Sequence, residues 1–113
     1  MSEDRRFTAI RHMLEHSIEA VSLLKNKRRQ ILDKDRLLSL ALVRLLEIIG
    51  ESANRIPIEE KEKYPGIPWS KIIGLRNRLI HGYDSIDFDI LWEIVKKDLP
   101  VLISGLREIS PSK

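Results

Sequence analysis

The sequence contains no cysteine. Disulfides, thiolate nucleophiles and cysteine-based zinc sites are thereby excluded, and the composition agrees with a reducing, cytoplasmic setting. Aromatic residues make up only 5% of the 113 residues. None interrupts the basic run Lys25-Asn26-Lys27-Arg28-Arg29, so stacked bases have no platform there. No apolar run approaches the roughly 20 residues that a membrane-spanning helix needs, and no membrane association is expected. The start, Met1-Ser2-Glu3-Asp4-Arg5-Arg6, reads as the lead-in to an amphipathic helix rather than as a signal segment. Glycine-rich phosphate loops, a Gly-x-Ser-x-Gly elbow, internal repeats and interdomain linkers are all missing. The length fits one domain spanning residues 1–113.

What is present is charge and helical periodicity. Charged residues account for 33% and apolar residues for 42%, proportions that suit a soluble helical protein. The net charge is +3 and the isoelectric point is near 9.3. That balance favours an anionic partner such as RNA or an acidic protein, though ordinary solvated lysine and arginine explain it equally well. The run 25–29 divides the same way, into phosphate contacts with salt-dependent affinity or a solvated turn.

Apolar spacing predicts an all-α antiparallel bundle of about five helices. The first covers residues 4–25, with Ser2 as a candidate cap. It turns Phe7, Ile10, Leu14, Ser17, Val21 and Leu24 inward, with Met13 and Ile18 flanking. Its His12-Met13-Leu14-Glu15-His16 stretch spells an inverted zincin pattern. No downstream ligand accompanies it, and two solvated or interface histidines are the simpler account. The second helix begins at Asp33 or Asp35 and ends at Arg55, before Ile56-Pro57. Leu37, Leu38, Leu40, Ala41, Leu42, Val43, Leu45, Leu46, Ile48, Ile49 and Ala53 spread over more of it than one internal side can bury. Part of that surface is therefore expected against a second copy, as a homodimer. Its polar stripe holds Arg44, Glu47, Glu51 and Asn54. These residues either line a cleft and orient an arginine, or simply pair along the helix.

A helical turn at residues 59–63 and the rigid connector Tyr64-Pro65-Gly66-Ile67-Pro68 lead to a third helix, from Pro68 to about His81. A fourth runs to Lys97, capped by Ser85 or Asp87. Capping accounts for Asp84, Asp87 and Asp89 more simply than a Mg²⁺ site does. Asp98-Leu99-Pro100 is expected to break the chain before a fifth helix.

The stretch Arg76-Asn77-Arg78-Leu79-Ile80-His81-Gly82-Tyr83 concentrates two guanidiniums, an amide, an imidazole and a phenol. Arg76 offers planar donors that suit a phosphate. His81 exchanges a proton near neutral pH. A cation beside a proton-transfer group is the minimum for cleaving an RNA phosphodiester. The 2′-OH attacks, the guanidinium steadies the charged phosphorane and the imidazole moves a proton. No metal and no cofactor are required. On a straight helix Asn77 and His81 lie about 40° apart, but Arg76 and His81 lie about 140° apart. Either Arg76 reaches round, or the helix loosens near His81 and Gly82, or a second chain contributes. In the blander alternative, Arg76 pairs with Glu47 or Glu51 and His81 only caps a helix end.

The spacing Arg76-x4-His81-x-Tyr83, with polar Asn77 after the arginine, resembles the signature of HEPN-domain toxins of the HepT type. The likeness extends to Ile49-Gly50-Glu51-Ser52-Ala53, to Tyr64-Pro65 with Ile67-Pro68-Trp69, to Ile73-Gly74-Leu75, and to Leu91-Trp92 followed by Leu99-Pro100. It thus spans nearly the whole chain. The resemblance implies a HEPN-like helical homodimer acting as a metal-independent ribonuclease toxin. Arg76 and His81 would be catalytic, Asn77 would support them, and Glu47, Glu51 and Arg78 are candidates for lining the cleft. A partner is implied as well, a minimal nucleotidyltransferase antitoxin of the MntA type. It would silence the toxin by transferring AMP from ATP onto the motif tyrosine, here Tyr83. A non-catalytic alternative stays open, in which the bundle is only the scaffold partner of a nucleotidyltransferase.

Overall fold

The computed structural model describes residues 3–81 and 85–109, without the side chains of residues 3–6 and of His81. The expectations placed on Ser2, on the imidazole of His81, on Gly82, Tyr83 and Asp84 lie outside the described residues.

Helix α1 spans Glu3–Leu23 and packs between two long partners, α3 (Arg36–Arg55) and α8 (Leu99–Ile109). Ala9, Ile10, Met13, Ser17, Ala20 and Leu24 are buried, whereas Leu14 and Val21 are only half-buried and Ile18 is exposed. The buried line is therefore rotated from the expected stripe. A helix pressed from two sides puts its small residues where backbones approach, and the bulkier Leu14 and Val21 move to the flanks.

Beyond α1, Asn26 adopts a left-handed conformation, with φ of 63°, which asparagine tolerates better than most residues. The connector is then pinned. Arg29 Nε donates to Asp89 Oδ1 at 2.7 Å and Nη1 to Asp33 Oδ2 at 3.1 Å. Burial acts to lower the Arg29 pKa, but the hydrogen bonds to Asp89 and Asp33 outweigh it and hold the guanidinium above its ordinary value. Arg29 thus serves the fold, while Lys25, Lys27 and Arg28 stay exposed.

A short helix α2 (Ile31–Lys34) precedes α3. Asp35 caps α3, its carboxylate accepting from the Leu38 N–H at 3.0 Å. Ser39 Oγ ties the two helices by donating to the Leu32 carbonyl at 2.9 Å. Ile56 is extended, as a residue before proline must tend to be. Along α3, Leu42, Val43, Leu46, Ile49 and Ala53 are buried, but Leu37 is 81% exposed, Leu40 is 42% exposed and Ala41 is also exposed.

After α4 (Ile58–Lys61), the indole of Trp69 closes the proline-rich connector. Its Nε1 donates to the carbonyls of Lys61 at 3.0 Å and Tyr64 at 3.1 Å. The expected third helix is two short ones, α5 (Trp69–Ile73) and α6 (Leu75–Leu79), jointed at Gly74. It does not reach His81. Ile80 is extended, with φ of −102° and ψ of 119°. Strand β1 (Ile80–His81) pairs antiparallel with β2 (Ser85–Ile86), Ile80 opposite Ile86 and His81 opposite Ser85. The Asp87 N–H donates to the Leu79 carbonyl at 2.8 Å. Backbone groups that a longer helix would have satisfied internally are satisfied across this ribbon instead.

Helix α7 (Phe88–Glu93) is capped by Asp87, which accepts from the Ile90 N–H at 3.0 Å. The expected break at Asp98-Leu99-Pro100 does not occur. A π-turn, Ile94–Asp98, carries α7 directly into α8, with the Leu99 N–H bonded to the Ile94 carbonyl. In a regular α-helix the Pro100 ring would strike the carbonyl four residues back, and the wider turn relieves that clash. Lys96 in this turn donates to the Leu24 carbonyl at the end of α1, at 2.9 Å, and sits 4.9 Å from the Trp92 ring centroid.

Helices α3 and α5 meet at Gly50. A Cβ there would lie 3.1 Å from the Ile72 carbonyl oxygen and 3.5 Å from that of Ile73. Helix propensity alone favours alanine by about 1 kcal/mol. We expect Gly50→Ala nonetheless to lower stability by about 1–3 kcal/mol in urea unfolding, because the obstruction is backbone that cannot swing aside. Gly66→Ala, where an added Cβ meets nothing within 4 Å, should change stability by less than about 0.5 kcal/mol. Equal stability of the two variants would contradict the tight approach.

Candidate active site

Helix α6 has only 5 residues, too few to be stable alone. Leu75 and Leu79, one turn apart, are fully buried and fix its inner face. The intervening Arg76 and Asn77 are thereby left on the surface, facing the polar stripe of α3. Between them lies a cleft of about 210 Å³. Glu47, Glu51 and Asn54 line it from α3, Arg76 and Asn77 from α6, and Gly50 is among the residues between.

Arg76 Nε donates to Glu47 Oε2 at 3.1 Å, and the other oxygen of Glu47 accepts from Arg44 Nη1 at 3.4 Å. The Glu47 side chain is 23% exposed and that of Arg76 is 64% exposed. The pairing set out above as the bland alternative is therefore present. It also orients the guanidinium: one edge is held, and among the described residues no other acceptor engages the group. Its terminal amino groups remain for a ligand, and two parallel donors suit a phosphate or carboxylate. Within one chain, however, this single guanidinium stands in a cleft lined by two carboxylates, Glu47 and Glu51. A lone copy is a poor trap for a polyanion.

The remaining expected site residues fall elsewhere. Arg78 is not among the residues lining the cleft. Its Nη1 donates to Asp98 Oδ2 at 3.1 Å, as expected for a residue about 200° round the helix from Arg76. His81 lies beyond the end of α6, on β1. The separation of 140° computed for a continuous helix therefore does not govern it. His12 and His16 sit on α1, with ring centroids 6.2 Å apart and planes inclined by 29°. His16 Nδ1 is 3.9 Å from Glu19 Oε1. Among the described residues no group of three or more His, Asp or Glu side chains is placed to hold a metal ion.

Two residues that shape the site escaped the sequence reading. Gly50 was noted only for resemblance, although a glycine inside an apolar helical run is itself a signal of close packing. Asp98 was read merely as part of a helix break, and no local pattern marks its distant partners.

The structure thus defines a small all-helical protein whose open cleft sets an arginine and an amide, from the Arg76-x4-His81 segment, against a polar helix face. The family described as ribonuclease HepT-like matches residues 13–109, and the chain belongs to it. A Caldanaerobacter subterraneus subsp. tengcongensis protein with a provisional RNase name is 38% identical over 103 residues, covering 88% of this chain and 92% of that protein. The protein named probable ribonuclease HepT from Thermococcus cleftensis is 40% identical over 93 residues, covering 79% and 84%. A Methanocaldococcus jannaschii protein, also with a provisional RNase name, is 39% identical over 88 residues, covering 78% and 81%. No solved structure matches the chain. No helix among the described residues is long and apolar enough to cross a membrane.

The Glu47–Arg76 pair yields a test of charge. Glu47→Gln should bind a short oligoribonucleotide more tightly than wild type, and log K should fall more steeply with log salt, by about 0.7 in slope for one added phosphate contact. Arg76→Ala should move both quantities the opposite way. Unchanged slopes in filter binding across a salt series would mean that Arg76 meets no phosphate.

Proposed function

We propose that the chain is a metal-independent endoribonuclease, forming one HEPN-like domain over residues 1–113, and the toxin half of a toxin–antitoxin pair acting in the cytoplasm. The observation that carries this is the presentation of Arg76: held at one edge by Glu47, open at the other, in a chain that belongs to a ribonuclease family. The ribose 2′-OH attacks phosphorus and gives up its proton to an imidazole. Arg76 steadies the phosphorane, Asn77 contributes a hydrogen bond, and the 5′-oxygen leaves with a proton from a second imidazole.

Two imidazoles at one phosphate require two chains, because only His81 belongs to the motif. Exposure on α3 supports this. Leu37, Leu40, Ala41, Arg44 and Glu51 are exposed, with Ile48 half-buried, and they fall on one helical face. That face runs from an unpartnered apolar patch into the cleft. A second copy seated on Leu37 and Leu40 covers the patch, adds a second Arg76 and a second His81, and offsets the carboxylates of Glu47 and Glu51.

Arg76→Ala and His81→Ala should each lower cleavage of an oligoribonucleotide by at least about 100-fold, with wild-type activity surviving a chelator. A non-catalytic scaffold for a nucleotidyltransferase would show no cleavage that either substitution removes. Leu37→Asp with Leu40→Asp should give a monomer in sedimentation and lose cleavage with it. A monomer that cleaves at full rate would refute the shared site.

Regulation is proposed at Tyr83, two residues beyond His81. AMP transferred there from ATP by a nucleotidyltransferase antitoxin of the MntA type adds bulk and negative charge beside Arg76, and excludes RNA by occlusion and repulsion. Incubation with that partner and ATP should add the mass of one or more adenylyl groups and silence the enzyme. If Tyr83→Phe is modified and silenced as readily as wild type, the proposal fails.

A further inference from the structure

Asp98 closes the π-turn and accepts from two short helices at once. Lys71 Nζ, on α5, donates to Oδ1 at 3.4 Å, and Arg78 Nη1, on α6, donates to Oδ2 at 3.1 Å. The carboxylate is only 17% exposed. It therefore spans the joint at Gly74, one oxygen on each side of the break. The placement depends on the turn. A residue added to a helical turn rotates everything after it by about 100°, so Asp98 faces α5 and α6 only because the chain widens there.

We propose that Asp98 is a positioning residue for the cleft. It fixes the angle between α5 and α6 and thereby aims Arg76 and Asn77. Helix α6 is held on its apolar side by Leu75 and Leu79, contacts that permit some rolling. Arg78 leaves the helix on the side away from Arg76, so its tie to Asp98 is the contact that resists the roll. Glu47 restrains the guanidinium at its tip, and Asp98 restrains the helix that carries it. The inference rests on reading Arg76 and Asn77 as the groups that meet the substrate phosphate.

The test compares Asp98→Asn, Asp98→Ala and Asp98→Glu with wild type, with Asp89→Ala as a control that removes an ion pair away from the cleft. Amide hydrogen exchange is followed across residues 74–81, alongside kcat and KM for a model oligoribonucleotide. In Asp98→Asn and Asp98→Ala, exchange should quicken across 74–79 while α1 and α3 stay protected. The kcat should fall about tenfold or more with KM within twofold, and Asp98→Glu should recover part of it. Arg78→Ala should mimic Asp98→Ala, and the double variant should lose little more than either alone.

Unaltered exchange in residues 74–79 overturns the clamp, whether or not RNA is cleaved. Faster exchange with wild-type kcat overturns the positioning role. A loss that merely tracks the folded fraction, with exchange raised throughout the protein, overturns it too. Should the wild-type protein cleave no RNA while Asp98→Asn still frees α6, the mechanical clamp stands and the ribonuclease reading falls.

Discussion

At Gly50 the backbone of α3 lies against the carbonyls of Ile72 and Ile73 with no side chain between them. The cleft follows from that approach. Glu47 sits one turn before Gly50 on α3, and Arg76 sits just beyond the joint at Gly74, so close contact at the first pair of positions puts the second within hydrogen-bonding distance. The direction of cause matters. A half-exposed ion pair contributes at most about 1 kcal/mol, which cannot draw two helices together. Leu46, Ile49 and Ala53 on one side and Ile72, Leu75 and Leu79 on the other are almost entirely removed from water, and each large apolar residue so buried is worth about 1.5–3 kcal/mol. Apolar packing sets the helix spacing, and the Glu47–Arg76 pair is a consequence of it.

The same ordering explains why net charge says little about the cleft. The chain carries 20 lysines and arginines against 17 acids. Yet several of the cations nearest the argument are already engaged: Arg29 by Asp33 and Asp89, Arg44 and Arg76 by Glu47, and Lys71 and Arg78 by Asp98. What remains exposed and basic lies in the connector, at Lys25, Lys27 and Arg28. A global surplus of charge can steer a polyanion at long range. The balance inside the cleft is local and is set by which carboxylates line it.

Much of this architecture was legible in the residues. Asp35 and the Ile56-Pro57 pair bracket α3, because a carboxylate cap and a pre-proline residue each restrict the backbone locally. Asp87 announces α7 for the same reason. The apolar excess on α3 foretold that Leu37 and Leu40 would find no partner within the chain. Features that depend on distant atoms were not legible. The rotated stripe of α1 reflects pressure from α3 and α8 together. Pro100 was read as a breaker, since sequence alone cannot tell a broken helix from one that widens to admit the ring. Helix α6 stops at Leu79, short of Gly82, because β2 supplies backbone partners to Ile80 and His81. The two ties on Asp98 join residues far apart in sequence, where no periodicity operates.

That early stop changes what the motif can do. On one continuous helix, Arg76 and His81 would point apart by about 140° and move as a single rod. Here they belong to separate elements, Arg76 to a helix and His81 to a ribbon, each anchored independently. The helix is tied through Arg78 to Asp98. The ribbon is tied where the Asp87 N–H meets the Leu79 carbonyl, and Asp87 also caps α7 with its carboxylate. Both anchors stand on the same run of chain, α7 through the π-turn, one at its start and one at its widened middle. A single helix therefore holds the two halves of the motif from behind, and any change in its register is felt by both. The widening that Pro100 demands is what brings the second anchor round to face α6.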